Sequence, residues 1–400
     1  MNQLDAEKII ESLRQGIPPE GEVSLLTVGR QNEINRLRQV LVNEGPEALL
    51  VKANWGCGKT HLLKFIKEEA LKAGYVTSLI TLDAKSNARF NRLDQIFGQV
   101  CRNIQVPGGN LRSIRYLFNS LFDPNNEQRK SSNEAVGLIS KISNTGKWDY
   151  SGYLRSPSMF IALRAWWVSY MNGLNLDDTI EDWLFNPFNY YSRRKDLYLW
   201  FVVSLRKWFR DPRPEWMFYD TKAGVFNFQI QEYNQSWNAL YDLDLLAKAA
   251  GYRGLILLVD ELEDVIYNLN NIKFQQDAFW NLFQFFSGEK FSGLAFFAVT
   301  PNFVEKCKRR LLEKDIWDYD YSRFDNLAKF EMSPLSKDNL LELSEKIIPI
   351  HETAYDWMVD DTTRMRIREI CIKSSKIAIE DRVRWTIKNI VKTFDDALGV

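Results

Sequence analysis

Residues 48–63, with the sequence ALLVKANWGCGKTHLL, combine an apolar run, a glycine-containing turn and a segment of helical apolar spacing. The apolar start predicts a buried strand, and the apolar residues that follow Thr60 predict a helix. Gly58, Lys59 and Thr60 match the end of the phosphate-binding pattern GxxxxGKS/T, whereas Ala53 occupies the position of its first glycine. This order of strand, turn and helix predicts a loop that binds the phosphates of a nucleotide. The alternative is a chance GKT sequence at the end of a strand.

The residue types in this loop suit phosphate chemistry. Successive backbone amides and the N-terminus of the following helix attract anions, and the glycines allow the backbone to approach closely. Lys59 would place a positive charge on the outer phosphates, and the hydroxyl of Thr60 could ligate Mg²⁺. We therefore expect nucleotide contacts from the loop residues Asn54, Trp55, Gly56, Cys57, Gly58, Lys59, Thr60 and His61.

A second apolar run, GLILLVDE at residues 254–261, ends in two acidic residues. Because the run does not alternate between polar and apolar residues, it predicts a strand that is covered on both faces and parallel to the first one. Asp260 would hold Mg²⁺ through water, and Glu261 would orient and polarise the water that attacks the nucleotide. The alternative is a strand whose acidic end is merely solvated.

Three further strands are predicted around these two, at residues 75–83, 293–301 and 327–332, with helical segments between them. Strands that alternate with helices predict a parallel α/β sheet. We predict N-terminal helices at 1–46, an α/β core at 47–106 and 246–335, and a C-terminal helical lid at 336–400. The remaining residues, 107–245, predict a helical insertion that carries eight tryptophans. They could pack in a core or form a partner groove or base-stacking surface.

Composition limits the possible partners. Lys plus Arg and Asp plus Glu both number 52, so any contact with nucleic acid must be local rather than driven by a global basic field. Lys306, Lys308, Arg309 and Arg310 form a basic run that could be a solvated face or a contact for phosphates. No apolar run approaches transmembrane length, so we expect no membrane partner.

The four cysteines show neither CxxC nor Cys/His metal spacing, a pattern typical of free thiols in a reducing cytosol. Cys57 is predicted to lie near a helix N-terminus, where thiol pKa values fall. We expect alkylation of Cys57 to block nucleotide binding. The alternative is a shielded and inert thiol.

Other candidate site residues lie at element ends. Thr300 and Asn302 follow the predicted strand at 293–301, and in open α/β sheets ligands bind at the carboxyl ends of strands. We expect Thr300 rather than Asn302 to sense the outer phosphate. Arg30 begins a helix and could reach the nucleotide or be solvated.

The segments AEKIIESLRQGIPP, TVGRQNEINRL, ANWGCGKTHLLKFIKEEALKAGYVTSLITLDA, AGYRGLILLVDELEDV and FFAVTP resemble the ATP-binding proteins of BREX-type anti-phage systems. These proteins are part of the AAA+/STAND group of P-loop ATPases related to origin-recognition proteins. The resemblance covers residues 1–105 and about 245–335.

The resemblance implies an AAA+-like P-loop core that binds ATP and Mg²⁺, hydrolyses ATP and works in a bacterial defence complex on DNA. With strands numbered along the chain, the expected sheet order is 5-1-4-3-2, with helices on both faces. Lys59 and Thr60 align with Walker A, and Asp260 and Glu261 align with Walker B. The resemblance implies three further roles. Thr300 aligns with sensor 1, Arg323 resembles an arginine finger, and either Arg382 or Arg384 would be sensor 2. Ala53 and the threonine at sensor 1 depart from the AAA+ pattern.

These observations predict a cytoplasmic ATPase that drives or gates a defence complex, with other defence proteins and DNA as partners and a homo-oligomer formed on ATP binding. Two alternatives remain. One is a slow nucleotide switch of the kind found in STAND signalling or transposition regulators. The other is a DNA-binding loader similar to origin-recognition proteins. The fold alone does not separate them.

Overall fold

The computed structural model of the chain describes residues 1–43, 45, 47–83, 88–126, 133–143, 154–173, 175–185, 230–267, 269 and 271–399. Four tryptophans of the predicted insertion lie outside these residues, namely Trp148, Trp200, Trp208 and Trp216. The other four are described, and Trp166, Trp183 and Trp237 are buried in the core while Trp167 packs against it.

Six strands in the described part of the chain form one sheet. They are β1 (Glu47–Lys52), β2 (Val76–Thr81), β3 (Ile104–Gln105), β4 (Leu255–Asp260), β5 (Leu294–Val299) and β6 (Lys329–Glu331). Their order across the sheet is β3-β2-β4-β5-β1-β6, and every pairing is parallel except that between β2 and β3. The predicted α/β class is therefore confirmed.

The predicted number of strands is wrong, because β3 adds a sixth, antiparallel strand at one edge. Ile104 pairs with Ser78 and Gln105 pairs with Thr77. A strand of two residues that directly follows a helix has neither the length nor the alternation that would reveal it in the sequence.

Helices cover the sheet. Those before β4 are α1 (Gln3–Gln15), α2 (Gln31–Val42), α3 (Lys59–Lys72), α4 (Leu93–Asn103), α5 (Ile114–Phe122), α6 (Asn133–Ser143), α7 (Pro157–Asn172), α8 (Asp177–Phe185) and α9 (Ile230–Ala249). Those after β4 are α10 (Asp264–Tyr267), α11 (Ile272–Ser287), α12 (Phe303–Leu312), α13 (Ser322–Asp325), α14 (Lys337–Tyr355), α15 (Asp361–Lys373) and α16 (Ile379–Leu398). None of the helices in the described ranges is both long and apolar enough to cross a membrane.

Both faces of the sheet are buried, which explains the uninterrupted apolar runs. Successive strand residues point to opposite faces. On one face, Leu257 and Phe297 join an apolar cluster with α4, α5, α7 and α11. On the other face, Leu258 and Phe296 pack with α2 and α3. Every residue of β4 and β5 is buried, so the carboxyl ends of these strands are fixed between the two layers.

A third apolar cluster joins the two ends of the chain. Residues of α1, including Ile10 and Leu13, pack against residues of α14 and α16, including Ile347 and Phe394. The Arg14 guanidinium on α1 also forms an ion pair of 2.9 Å with an Asp395 carboxylate on α16. This packing places the N-terminal helix and the last helix side by side; the predicted domain boundaries stay predictions.

Candidate nucleotide-binding site

The loop between β1 and α3 has the backbone that its glycines predict. Gly56 has a φ of 71° and Gly58 a φ of 89°, values that residues with a Cβ rarely adopt. Gly58 precedes α3, so the free amides of that helix lie at the carboxyl edge of the sheet. Ala53 is 1 % exposed and is not among the residues of positive φ. The replacement of the first glycine therefore imposes no backbone strain.

Thr60 and Asp260 meet at this edge. The Thr60 hydroxyl donates a 2.7 Å hydrogen bond to Oδ2 of Asp260, and Oδ1 of Asp260 accepts a 3.0 Å bond from the Glu261 amide. Asp260 ends β4 and is 5 % exposed. The fold thus brings together the two residues that the sequence predicts as magnesium ligands.

Lys59 bonds to its own loop. Its Nζ donates to the carbonyl oxygens of Ala53 at 3.1 Å and of Asn54 at 3.5 Å, and it lies 4.9 Å from the Trp55 ring centroid. Burial lowers the pKa of Lys59, and the Glu263 and Asp260 carboxylates oppose that change. The Glu263 carboxylate lies 4.0 Å from this ammonium group. The hydrogen bonds to the two loop carbonyls could be exchanged for bonds to phosphate oxygens.

Glu261 lies at the turn after β4 in a left-handed conformation, with a φ of 59°. Its side chain is exposed. Burial and the neighbouring carboxylates of Asp260, Asp264 and Asp83 raise its pKa. Because Asp83 follows β2, the surroundings of Glu261 extend toward the β2 side of β4.

Two buried polar groups of the site have no hydrogen-bond partner among the described residues. They are the carboxylate of Glu263, which is 2 % exposed, and the hydroxyl of Thr300, which is 4 % exposed. Burial raises the pKa of Glu263. Lys59 and the Thr300 backbone lie close enough to limit that rise, although neither completes a hydrogen bond to the carboxylate. Glu263 was not predicted as a site residue, because its only signal in the sequence is that it is the third acid of DELE.

A cavity of about 300 Å³ opens beside Glu263, whereas Thr300 is not among its lining residues. Its polar side includes Lys59, Thr60, Asp260, Glu261 and Glu263. Its apolar side comes from segments at both ends of the chain, namely Leu13, Ile17, Leu26, Val28, Leu343 and Ile387. A charged side next to an apolar side suits a ligand that has both phosphates and a flat base.

Arg30 and His61 line the same cavity but are engaged in the protein. Arg30 is 7 % exposed, and its guanidinium donates to the carbonyl oxygens of Cys57 and Ser333. The alternative of a solvated Arg30 is therefore wrong, because this side chain ties the loop to the segment after β6. His61 Nε2 lies 3.0 Å from the Thr27 hydroxyl, and burial lowers the pKa of His61 to about 4.

The expected low thiol pKa at Cys57 is wrong. Cys57 is 2 % exposed, and burial raises its pKa, against the smaller opposing effects of Arg30 and Lys59. Although the thiol lies near the start of α3, its desolvation outweighs the influence of the helix and of both cations. The alternative of a shielded thiol is the one that the structure favours, and rapid alkylation of the folded protein is not expected.

The structure places the predicted arginines differently. Arg384 lines the cavity, whereas Arg382 donates at 3.2 Å to the carbonyl oxygen of Ile377, just before its own helix. Arg323 lies on α13, between β5 and β6, and is not among the residues that line this cavity. Its guanidinium lies 4.9 Å from the Phe283 ring centroid and forms no ion pair within 4.0 Å in the described part of the chain. The alternative of a structural salt bridge therefore has no support there.

The predicted basic run lies on α12 and is largely paired. Lys306 donates to the Tyr267 hydroxyl at 2.9 Å, and Lys308 forms an ion pair with Asp325. Arg309 and Arg310 lie within 4.0 Å of Glu313. These contacts fit the reading of a solvated, ion-paired face.

The residues of the site fit ATP and Mg²⁺. An unstrained glycine loop at a helix N-terminus, a buried lysine and an apolar wall match the phosphates and base of a nucleotide. Thr60 and Asp260 provide the oxygen ligands that Mg²⁺ prefers. In addition, the Glu263 carboxylate and the Thr300 hydroxyl have no hydrogen-bond partner among the described residues, so both could bond to a further group.

Fold and site together define an α/β protein in which a glycine-containing loop at a helix N-terminus and an acidic strand end face one cavity. The family model of the BREX system ATP-binding protein BrxC/D matches residues 1–135 and 222–400. The chain therefore belongs to the family of BREX system ATP-binding proteins. Searches of curated proteins and of solved structures returned no significant match. Family membership implies an ATP-binding protein that acts with the other components of a BREX defence system.

Proposed function

We propose that the chain is a P-loop ATPase of the AAA+-like kind, which binds ATP with Mg²⁺ in the cavity and hydrolyses it. The observation that carries this proposal is the 2.7 Å hydrogen bond between Thr60 and Asp260 beside the buried Lys59. The succession β2-β4-β5-β1-β6 among the five parallel strands also supports it, since this is the order expected from the resemblance. The additional strand β3 extends the edge next to β2, away from the phosphate loop.

Each residue of the site has a proposed task. The loop amides and Lys59 bind the phosphates, Arg384 approaches them from α16, and Thr60 and Asp260 hold Mg²⁺. Bound Mg²⁺ would neutralise charge on the outer phosphates. The apolar wall excludes water from the base, while Thr300 contacts the outer phosphate from the end of β5.

In the defence system, ATP turnover would drive or gate a complex that acts on DNA.

Two copies of the chain would form the complete catalytic unit. Arg323 supports a catalytic unit of two copies, because it is exposed and lies outside the lining of its own nucleotide cavity. A residue so placed can reach the nucleotide of a neighbouring copy. We further propose a cytoplasmic location, which the four free, buried cysteines support.

A slow nucleotide switch is the second candidate. The observation in its favour is that α1 and α16 contribute both to the third apolar cluster and to the cavity wall. Nucleotide occupancy would therefore bear directly on how the two ends of the chain pack. A switch of this kind needs tight ATP binding but little turnover.

The test is phosphate release by the purified protein, with ATP affinity measured in parallel and both repeated with duplex DNA. Turnover that DNA stimulates would support an ATPase acting on DNA, and tight binding with negligible turnover would support the switch. Failure to bind ATP in the presence of Mg²⁺ would contradict both candidates.

A further inference from the structure

A second cavity, of about 400 Å³, opens beside α11 and α13. Its lining includes Trp280 and Asn281 of α11, Arg323 of α13, and Asn91 from the segment after β2. None of these four residues lines the nucleotide cavity, so the two cavities are separate. The second cavity has no part in the proposed ATP binding, and its ligand is inferred from its own chemistry.

Asn91 provides a buried hydrogen-bond acceptor in this cavity. It is 5 % exposed, and its Oδ1 has no hydrogen-bond partner among the residues that the structure describes. The Asn281 side-chain amide donates at 2.8 Å to the Phe90 carbonyl oxygen, so α11 holds the segment that carries Asn91 in place. A buried acceptor that is fixed in this way and has no partner calls for a hydrogen-bond donor.

The charged groups of the second cavity lie at its rim. Asp277, Asp320 and Arg323 are exposed, so the rim carries two negative charges and one positive charge. Asp277 forms no ion pair within 4.0 Å in the described part of the chain, and its partial burial raises its pKa against the smaller opposing effect of Lys273. A cation beside Asp277 would therefore be favourable, whereas the phosphates of a nucleic acid would meet two carboxylates and a single arginine.

Three aromatic side chains also line the second cavity, those of Trp280, Tyr319 and Tyr233. Aromatic faces attract cations, and an arginine guanidinium stacks on them well because it is planar and weakly hydrated. A guanidinium has five N–H donors, enough to serve the Asn91 oxygen and the Asp277 carboxylate together. The ammonium group of lysine is compact and more strongly hydrated, so it suits this cavity less well.

We propose that the second cavity binds an arginine side chain presented by a partner protein. Membership of the family implies other defence proteins as partners, and the exposed rim admits a side chain that projects from a protein surface. Charge complementarity selects the partner, because a basic segment would be attracted to Asp277 and Asp320, whereas an acidic segment would be repelled. This site goes beyond the proposed ATPase activity and does not depend on ATP hydrolysis.

The test measures binding of the capped peptide acetyl-Gly-Arg-Gly-amide to the whole chain by saturation-transfer NMR. The citrulline counterpart, in which a neutral urea replaces the guanidinium, should bind about tenfold more weakly because its hydrogen bonds are no longer assisted by charge. Asp277→Asn should weaken binding of the arginine peptide about fivefold. Asn91→Ala should weaken it about tenfold, through loss of the buried acceptor.

Two further variants show whether the cavity selects a cation. Arg323→Gln should strengthen binding of the arginine peptide, since it removes a like charge from the rim. Glu289→Gln is the matched control, because Glu289 is an exposed acid outside the lining of this cavity, and it should leave the affinity unchanged. A single-stranded oligonucleotide that binds more tightly than the peptide and loses affinity in Arg323→Gln would overturn the inference in favour of nucleic acid.

Thermal unfolding of each variant separates lost binding from lost folding. Asp277 is exposed, so Asp277→Asn should fold even if Asn91→Ala does not. Equal affinity of the wild type and a folded Asp277→Asn for the arginine peptide, or no binding of that peptide at millimolar concentration, would overturn the proposal. So would tighter binding of free arginine than of the capped peptide, or self-association of the chain that Asp277→Asn abolishes, which would make the occupant a free amino acid or a second copy.

Discussion

The hydroxyl of Thr60 donates a 2.7 Å hydrogen bond to the carboxylate of Asp260, a residue 200 positions further along the chain. This contact joins the first turn of α3 to the end of β4, although β5 lies between β4 and β1 in the sheet. Two oxygen groups held this close suit Mg²⁺, for which Thr60 would be a direct ligand and Asp260 a partner through water. The effect of Mg²⁺ on nucleotide affinity therefore tests directly whether Thr60 and Asp260 form a magnesium site.

Replacement of Thr60 by valine removes the hydroxyl and keeps the shape. Thr60→Val should bind ATP without Mg²⁺ as well as the wild type does, but it should lose most of the affinity that Mg²⁺ adds. Titrations of fluorescent ATP with Mg²⁺ and with EDTA measure both quantities. An undiminished response to Mg²⁺ would show that Thr60 is not a ligand.

Gly56 should tolerate no side chain. A Cβ there would lie 1.5 Å from the Glu380 carbonyl oxygen, so Gly56→Ala must displace the start of α16. Gly21 is a matched control, because it also has a φ of 71° but has no atom within 4 Å of a built Cβ. Gly21→Ala should cost about 1 kcal/mol of backbone strain, and Gly56→Ala should cost more and also weaken ATP binding. Equal effects in unfolding and binding assays would argue against a close contact with α16.

His61 should make the fold sensitive to acid. The Thr27 hydroxyl donates to the Val23 carbonyl, so it accepts from the His61 Nε2–H, and the ring is held neutral. With a pKa of about 4 in the fold, against about 6.5 when unfolded, His61 takes up its proton more readily in the unfolded chain. Stability is therefore present above pH 6.5 and is lost as the pH falls toward 4.

Wild type and His61→Gln should be compared by chemical unfolding across that pH range. The wild type should lose up to about 3 kcal/mol more than the variant, since all other titrating groups are common to both. Parallel curves for the two proteins would mean that His61 is not held neutral by the fold.

Arg323 should act on a neighbouring copy. Specific activity should rise with protein concentration, and Arg323→Ala should depress turnover by about a thousandfold while sparing ATP affinity. A mixture of Arg323→Ala with Glu261→Gln should recover partial activity, because one interface then combines an intact arginine with an intact catalytic site. Concentration-independent turnover without recovery would point to a monomer.

Sequence patterns predicted the parts of this site that follow from local chemistry. The glycine loop, Lys59, Thr60 and Asp260 lie in contiguous motifs whose strand-and-helix context fixes their positions. Desolvation is the property that the motifs could not reveal. Burial reverses the expected thiol chemistry of Cys57, and Arg30 is hydrogen-bonded within the protein. The Glu263 carboxylate is buried without a hydrogen-bond partner in the part of the chain that the structure describes.

Sequence patterns also could not predict contacts between residues that are far apart in the chain. The contact of α1 with α16 and the choice of Arg384 over Arg382 depend on helix packing, which one sequence does not encode locally. The two-residue strand β3 was missed because its pairing arises from the chain reversal after α4 and not from its own composition.

ATP binding by Lys59→Ala tests the central claim most directly. The Lys59 ammonium lies in the loop beside the cavity and supplies the main side-chain charge for the phosphates, so its loss should abolish binding of fluorescent ATP while the protein stays folded. Circular dichroism of the variant provides the control for folding. We predict saturable binding by the wild type and none by Lys59→Ala; equal affinity of the two proteins would contradict the assignment of this loop as the nucleotide site.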